Sequence, residues 1–195
     1  MSHQAADEAA LVARAQGGDL SAFDQLVLQH QGMVYAVALR MLGNTDDARE
    51  VAQDAFVRAY RGIGTFRLEA KLSTWLVSIT MNLCRNRRRW WARRRRVVVA
   101  SLDDPLETGE GTVGQEVADP APNPAETAQR RELQQRVMQT LQLLDEPFRS
   151  VIVLRDVQGY SYEEIAQMLH CQVGTVKSRI NRARFQLRAL LDGKI

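Results

Sequence analysis

Apolar residues recur at three- and four-residue intervals through two long stretches of this 195-residue chain. Leu26, Val27, Met33, Val34, Val37 and Leu42 share one stripe, and Leu133, Val137, Leu141 and Leu144 share another. Such spacing builds a helix with one buried face; a half-buried strand would alternate strictly. Gly17, Gly18, Gly43, Asn44, Gly62 and Gly64 interrupt the first pattern, as residues that end helices do. Helices are therefore predicted near 7–16, 21–42, 45–61 and 73–95, and again near 128–144, 147–157, 162–169 and 172–191. Thr45 ahead of Asp46 and Asp47 reads as an N-cap with first-turn acids, which suit the positive end of the helix dipole. Ser73 or Thr74 is expected to cap the fourth helix, and Pro147 suits a first helical turn. In the third helix Val51, Ala55 and Val57 are expected on the face away from the polar residues.

Between the two patterned regions, 97–125 shows no helical periodicity. It holds Pro105, Pro120, Pro122 and Pro124 of the chain's five prolines, with Gly109, Gly111 and Gly114, and reads as a flexible linker. The predicted fold is all-α, with two small helical domains at 1–96 and 128–195 joined by an acidic linker at 97–127. Charge follows the same division. Seven acids and no lysine or arginine lie between Val97 and Thr127; set against a net +3 for the chain, they leave +10 on the remainder. Two basic modules separated by an acidic strap suggest a polyanionic partner.

No apolar run reaches the roughly 20 residues that span a bilayer, and the N-terminus lacks a signal-peptide core, so a cytoplasmic protein without membrane insertion is expected. Cys84 and Cys171 are far apart and neither forms a CxxC; both read as reduced packing residues. His170 beside Cys171 supplies two adjacent ligands without partners, which is no tetrahedral site, and neither metal nor other cofactor is expected.

The stretch "SYEEIAQMLHCQVGTVKSRINRAR" is the most specific in the chain. Ser161 and Glu164 form an S-x-x-E capping box opening a short helix, and Ala166 is small where a second helix must cross. Ile165, Leu169, Val173, Val176 and Ile180 can share one core across a turn at Cys171, expected to start the second helix. Lys177, Ser178, Asn181 and Arg182 then sit at i, i+1, i+4 and i+5, opposite the apolar stripe, with Thr175 and Arg184 nearby. Long donors and short amides on one helix face suit major-groove base edges and flanking phosphates. The plainer alternative is a solvated basic helix closing a small bundle.

Upstream, "TFRLEAKLSTWLVSITMNLCRNRRRWWARRRR" places Leu76, Ile79 and Leu83 on a core stripe and Asn82, Arg85, Asn86 and Arg89 on another face. Phe66 and Trp75 bracket a loop, 67–72, carrying Arg67 and Lys71. An aromatic wall beside basic groups can stack an unpaired base. As alternatives, Phe66 and Trp75 are ordinary core residues, and Trp90 and Trp91 cover a helix end under arginine stems.

Taken together, the residues resemble the extracytoplasmic-function (ECF) family of bacterial RNA polymerase sigma factors. "DDAREVAQDAFVRAY" resembles the family's region 2.2, "FRLEAKLSTWLVSITMNLCRN" regions 2.3 and 2.4, and the helix-turn-helix region 4.2. Gln172 and Leu68 depart from the family's frequent Pro and Gly. The resemblance implies that Asp47, Glu50, Gln53 and Asp54 face the beta-prime clamp helices of core RNA polymerase, with the beta flap a further partner. It implies that Asn82 and the loop from Phe66, with Arg67, Lys71, Trp75, Arg85, Asn86 and Arg89, receive the single-stranded minus-ten element. Thr175, Lys177, Ser178, Asn181, Arg182 and Arg184 would read the minus-thirty-five element as duplex. An anti-sigma factor is a further implied partner.

Two rival functions are set against this. A conventional regulator would bind duplex operator DNA as a dimer without polymerase, its first domain oligomerising or sensing a ligand. A nucleic-acid enzyme would need catalytic groups, but His3, His30 and His170 are scattered and no acidic cluster has metal-ligand or general-base spacing.

Overall fold

The structure, a computed structural model, describes residues 2–67, 69–99 and 124–193. Among them are eight α-helices and no strand: α1 Ser2–Gln16, α2 Leu20–Leu42, α3 Thr45–Gly62, α4 Leu72–Val99, α5 Pro124–Leu143, α6 Glu146–Ile152, α7 Tyr162–Leu169 and α8 Val173–Leu191. A 3₁₀ turn, Ile63–Thr65, follows α3, and a π turn, Val153–Val157, continues α6.

Helices α1 to α4 form the first unit, whose core joins Val12, Val34, Val37, Met41, Val51, Ala55, Val77 and Met81. Local chemistry sets its corners. Asp19 caps α2 by accepting from the Ala22 N–H at 3.2 Å. The Ser21 hydroxyl, then the Arg14 guanidinium and that N–H, pull its carboxyl from the usual 3.8 to about 2. The cap of α3 is Asn44, not Thr45: its side-chain oxygen takes the N–H groups of Asp46 and Asp47, both at 2.9 Å. A side-chain amide oxygen one residue earlier reaches two orphan donors, leaving Thr45 as the first helical residue. Helix α4 starts at Leu72, so Ser73 and Thr74 lie inside its first turn and do not precede it.

The second unit is α5 to α8, closed around Leu141, Leu154, Ile165, Val176 and Ile180. Pro147 lies in the first turn of α6 as expected. Two apolar stripes are shorter than their periodicity suggests. Leu133 is 62% and Val137 39% exposed, whereas Thr140 and Leu141, near the C-terminal end of α5, are buried, and Val57 of α3 is 48% exposed beside buried Val51 and Ala55. Periodicity marks a face without saying whether anything covers it.

Most of the expected linker lies outside the described residues. At its edges, Val97–Val99 belong to α4 and Pro124–Ala125 open α5.

Polar groups join the two units beside buried apolar side chains that form one cluster across them. Arg149 of α6 is fully buried, and its guanidinium donates to the carbonyls of Met41 (2.7 Å), Gln142 (2.6 Å) and Leu144 (2.8 Å) and to Gln142 Oε1 (2.5 Å). Gln142 Nε2 donates to the Arg40 carbonyl at 2.9 Å. The C-terminal end of α2, negative by its dipole and rich in orphan carbonyls, is thus capped from the second unit. Gly43 has φ +76°, and a Cβ there would lie 2.6 Å from the Gln142 side chain; glycine meets both demands.

Candidate nucleic-acid interface

In α7 the capping box closes reciprocally: Glu164 N–H donates to Ser161 Oγ (3.1 Å) and Ser161 N–H to Glu164 Oε2 (2.8 Å). The helix ends at His170 in the left-handed region (φ 50°), which turns the chain sharply. Cys171 lies in that turn; α8 begins at Val173 with Gln172 before it, so the second helix starts two residues later than expected. Ile165, Ala166, Leu169, Val176, Ile180 and Ala183 are buried between the helices and their neighbours. Ser161→Ala is expected to cost about 1 kcal/mol, the usual loss of a side-chain cap; a chemical-denaturation midpoint shift checks it.

The opposite face of α8 presents Lys177, Ser178, Asn181 and Arg182, all exposed. Lys177 Nζ lies 5.7 Å from the Tyr162 ring centroid, whose ring also takes Arg155 at 4.8 Å, so the lysine stem is steadied at the helix's start. Ser178 Oγ donates back to the Thr175 carbonyl at 3.0 Å, and Thr175 is half-buried. Arg184 stands apart from this cluster. Its guanidinium grips Asp156 of the π turn at 2.5 and 3.1 Å, and that hydrogen bond followed by Coulomb attraction raises its already high pKa.

In the first unit the predicted loop residues divide. Phe66 is buried, and its ring lies 4.9 Å from that of half-buried Trp75 at 31°, so the pair packs together and does not flank an open gap. Arg67 and Lys71 are exposed beside it. Gln16 holds the loop from α1, donating to the carbonyls of Ile63 (3.0 Å) and Phe66 (2.8 Å). A cleft of about 390 Å³ opens here, lined by Phe66, Arg67, Thr74 and Trp75 on one side and by Glu164, Gln167 and Met168 of α7 on the other.

Along α4, Asn82 is half-buried while Asn86 and Arg89 are exposed. Arg85 is only 19% exposed in its side chain and pairs with Glu146 of α6 at 3.0 Å. Trp90 and Trp91 are exposed and meet edge to face at 5.5 Å, with Arg94 5.0 Å over Trp90. Cys84 is buried among these helices; burial pushes its thiol up to about 12, the posture of a packing residue.

The predicted polymerase-facing residues share one side of α3. Gln53 and Asp54 are exposed, whereas Asp47 and Glu50 are both engaged by Arg87 of α4, at 3.3 Å for Asp47. Arg87 was not singled out by the sequence, nor were Gln16, Gln142 and Arg149. Each acts across the tertiary structure on residues 5 to 108 positions away, and nothing in local spacing marks them.

Residues 26–96 match the Sigma-70 region 2 family and residues 134–187 the Sigma-70, region 4 family. The ECF RNA polymerase sigma-E factor of Escherichia coli is 38% identical over 184 residues, 94% of this chain and 93% of that protein. The chain belongs to the ECF sigma factors. The RNA polymerase sigma-H factor of Pseudomonas aeruginosa is 40% identical over 174 residues, 89% of this chain and 88% of its own length.

Two solved structures share the architecture. The structure of CnrH in complex with the cytosolic domain of CnrY covers 97% of this chain and 99% of its own, with 32% identity and a TM-score of 0.66. The sigma factor RpoE in complex with the anti-sigma factor NepR from Bartonella quintana covers 87% and 96%, with 28% identity and a TM-score of 0.64. Within this ECF sigma factor, every predicted minus-ten and polymerase-facing residue falls inside the region 2 match, and Thr175 to Arg184 fall inside the region 4 match. Among the described residues no helix is long and apolar enough to cross a membrane, and no cluster of three or more His, Cys, Asp or Glu is set to hold a metal ion.

Proposed function

We propose that this ECF sigma factor binds core RNA polymerase through the Asp47, Glu50, Gln53 and Asp54 face of α3 and directs it to promoters by recognising DNA in two forms. The exposed face of α8 reads duplex at the minus-thirty-five element, Lys177, Ser178, Asn181 and Arg182 supplying donors and acceptors to base edges and phosphates. The first unit, 1–96, captures the displaced strand at the minus-ten element: Asn82 and the loop from Phe66 to Trp75 receive an unpaired base, while Arg67, Lys71, Arg85, Asn86 and Arg89 meet its backbone. Binding the melted form in preference to the duplex draws the promoter toward the open state. The chain performs no covalent step; RNA synthesis belongs to the polymerase. An anti-sigma factor holds it inactive until a signal arrives, and the acidic segment 97–127 threads the polymerase near the path of template strand and RNA.

The observation that carries this reading is the ordered pair of region 2 and region 4 matches on two helical units, the second displaying an exposed polar face on α8. The test is transcription in vitro by core polymerase with and without the chain on a promoter library. Defined start sites that depend on the chain support the proposal; their absence, with tight duplex binding by the chain alone, supports an operator-binding regulator. Asn82→Ala is expected to impair promoter opening about tenfold more than closed-complex formation, the share of roughly one base contact. Permanganate footprinting beside equilibrium binding checks it, and equal losses in both would argue against a base pocket.

A further inference from the structure

Helix α4 runs on past the bundle it helps to build. Arg88 donates to the Met41 carbonyl of α2 at 3.2 Å, and after it Arg89, Trp90, Trp91, Ala92, Arg93 and Arg94 are all exposed. These turns bury no face, so packing does not explain what they carry. Their charge is also uncompensated. The helix contains no Asp or Glu, and although Arg85 and Arg87 take carboxylates from α6 and α3, Arg89 and Arg93 have neither an ion pair nor a hydrogen bond among the described residues. At i and i+4 the two repel each other.

Asn82, Asn86, Arg89 and Arg93 recur at spacings of four, three and four, so Arg93 continues by one turn the face assigned above to the minus-ten strand. With a rise of about 1.5 Å per residue, Arg93 lies about 16 Å along the axis from Asn82, a span of about five nucleotide steps. Beside this stripe Arg94 lies 5.0 Å over the Trp90 ring, and Trp91 braces Trp90 edge to face at 5.5 Å. Stacking of this kind steadies the planar fork while its N–H groups still point outward, so less rotamer freedom is lost when a phosphate binds.

Exposed guanidiniums without carboxylates, on the same helix as a strand reader, fit a phosphate backbone. We propose that Arg93 and Arg94, with Trp90 as the positioning residue for Arg94, grip the phosphates of paired DNA between the two promoter elements, about five base steps from the base held at Asn82. The grip is independent of sequence and supplements α8 where the minus-thirty-five element is weak. Its placement rests on the reading of Asn82 as a strand binder. The unpaired base enters beside Phe66 and Asn82, in the first half of α4; the second half leads away from that pocket, to where the strand has rejoined its complement.

The test uses holoenzyme assembled from core polymerase and the full chain, with two fluorescent promoter fragments that lack the minus-thirty-five element. Both present the minus-ten tract as a single strand; one ends there, and the other continues upstream into roughly ten base pairs of duplex, one helical turn. Anisotropy at several salt concentrations gives the affinity and its salt slope. Arg93→Ala combined with Arg94→Ala is expected to weaken binding of the duplex-bearing fragment about tenfold and to lower its slope by about two, one for each phosphate contact, while the single-stranded fragment changes by less than about twofold. Trp90→Ala should weaken the duplex-bearing fragment about threefold, and Trp90→Phe, which keeps a ring under Arg94, should restore it. All three positions are exposed, so the core is untouched by these substitutions. Equal losses on both fragments, or none on either, overturn the grip. Binding of the free chain to phosphatidylglycerol vesicles that is lost in Trp90→Ala, with duplex affinity unchanged, overturns it too and assigns the patch to a membrane surface. A parent holoenzyme that ignores the single-stranded fragment yet holds the duplex-bearing one through Arg93 and Arg94 sinks the reading of Asn82 and leaves the backbone grip standing.

Discussion

Arg149→Met is expected to lower the chain's stability by about 3–5 kcal/mol, the range found when one partner of a buried charged network is removed. The guanidinium is fully buried and donates to four acceptors, at 2.5 to 2.8 Å, with only Nε lacking a partner among the described residues. Methionine keeps most of the volume and none of the donors. The carbonyls of Gln142 and Leu144 would then lose the guanidinium, while that of Met41 keeps Arg88 at 3.2 Å, and each buried group left without a partner costs about 1–3 kcal/mol. Arg149→Lys should recover less than half of the loss, because one ammonium cannot reproduce a planar fork aimed at carbonyls in different directions. Urea unfolding followed by far-ultraviolet circular dichroism checks both variants. A Met variant within about 0.5 kcal/mol of the parent, the range of ordinary surface substitutions, would show that the network contributes nothing net.

Lys177→Ala and Arg182→Ala are expected each to relax base discrimination by about 1–3 kcal/mol at one position of the upstream promoter element, if the side chain makes a bidentate base contact. The measurement is competition binding by the polymerase holoenzyme across all single-base variants of that element. A loss equal at every sequence would reassign the residue to phosphate. Arg184→Ala should differ in kind. Its guanidinium is held by Asp156, so its removal is expected to weaken the second unit's fold with little change in which bases are preferred.

The helical skeleton was legible because its signals are local. Three- and four-residue apolar spacing, a capping box from Ser161 to Glu164 and glycine interruptions each act within a turn or two, and the structure returns helices within a few residues of those read from the pattern. The same locality explains the misplaced edges. Asn44 and Thr45 are both competent caps, and only backbone geometry decides between them. Leu133, Val137 and Val57 carry helical periodicity but stay exposed, since the pattern names a face and not its cover. Phe66 shows the reverse: chemistry that suits an open stacking platform sits buried against Trp75, held there by Gln16 from a helix about fifty residues away.

By itself, then, the sequence determined an all-helical chain with a helix-turn-helix, a basic aromatic helix and an acidic segment between them, because propensity, capping and charge are written residue by residue. Tertiary structure alone decided which charges remain available. Arg85 goes to Glu146, Arg87 to Asp47 and Glu50, Arg184 to Asp156 and Arg149 to the end of α2, while Lys177, Asn181 and Arg182 stay exposed. Those pairings join residues 28 to 108 positions apart, with no periodicity linking them; they exist only once packing has brought the helices together and removed water from between them.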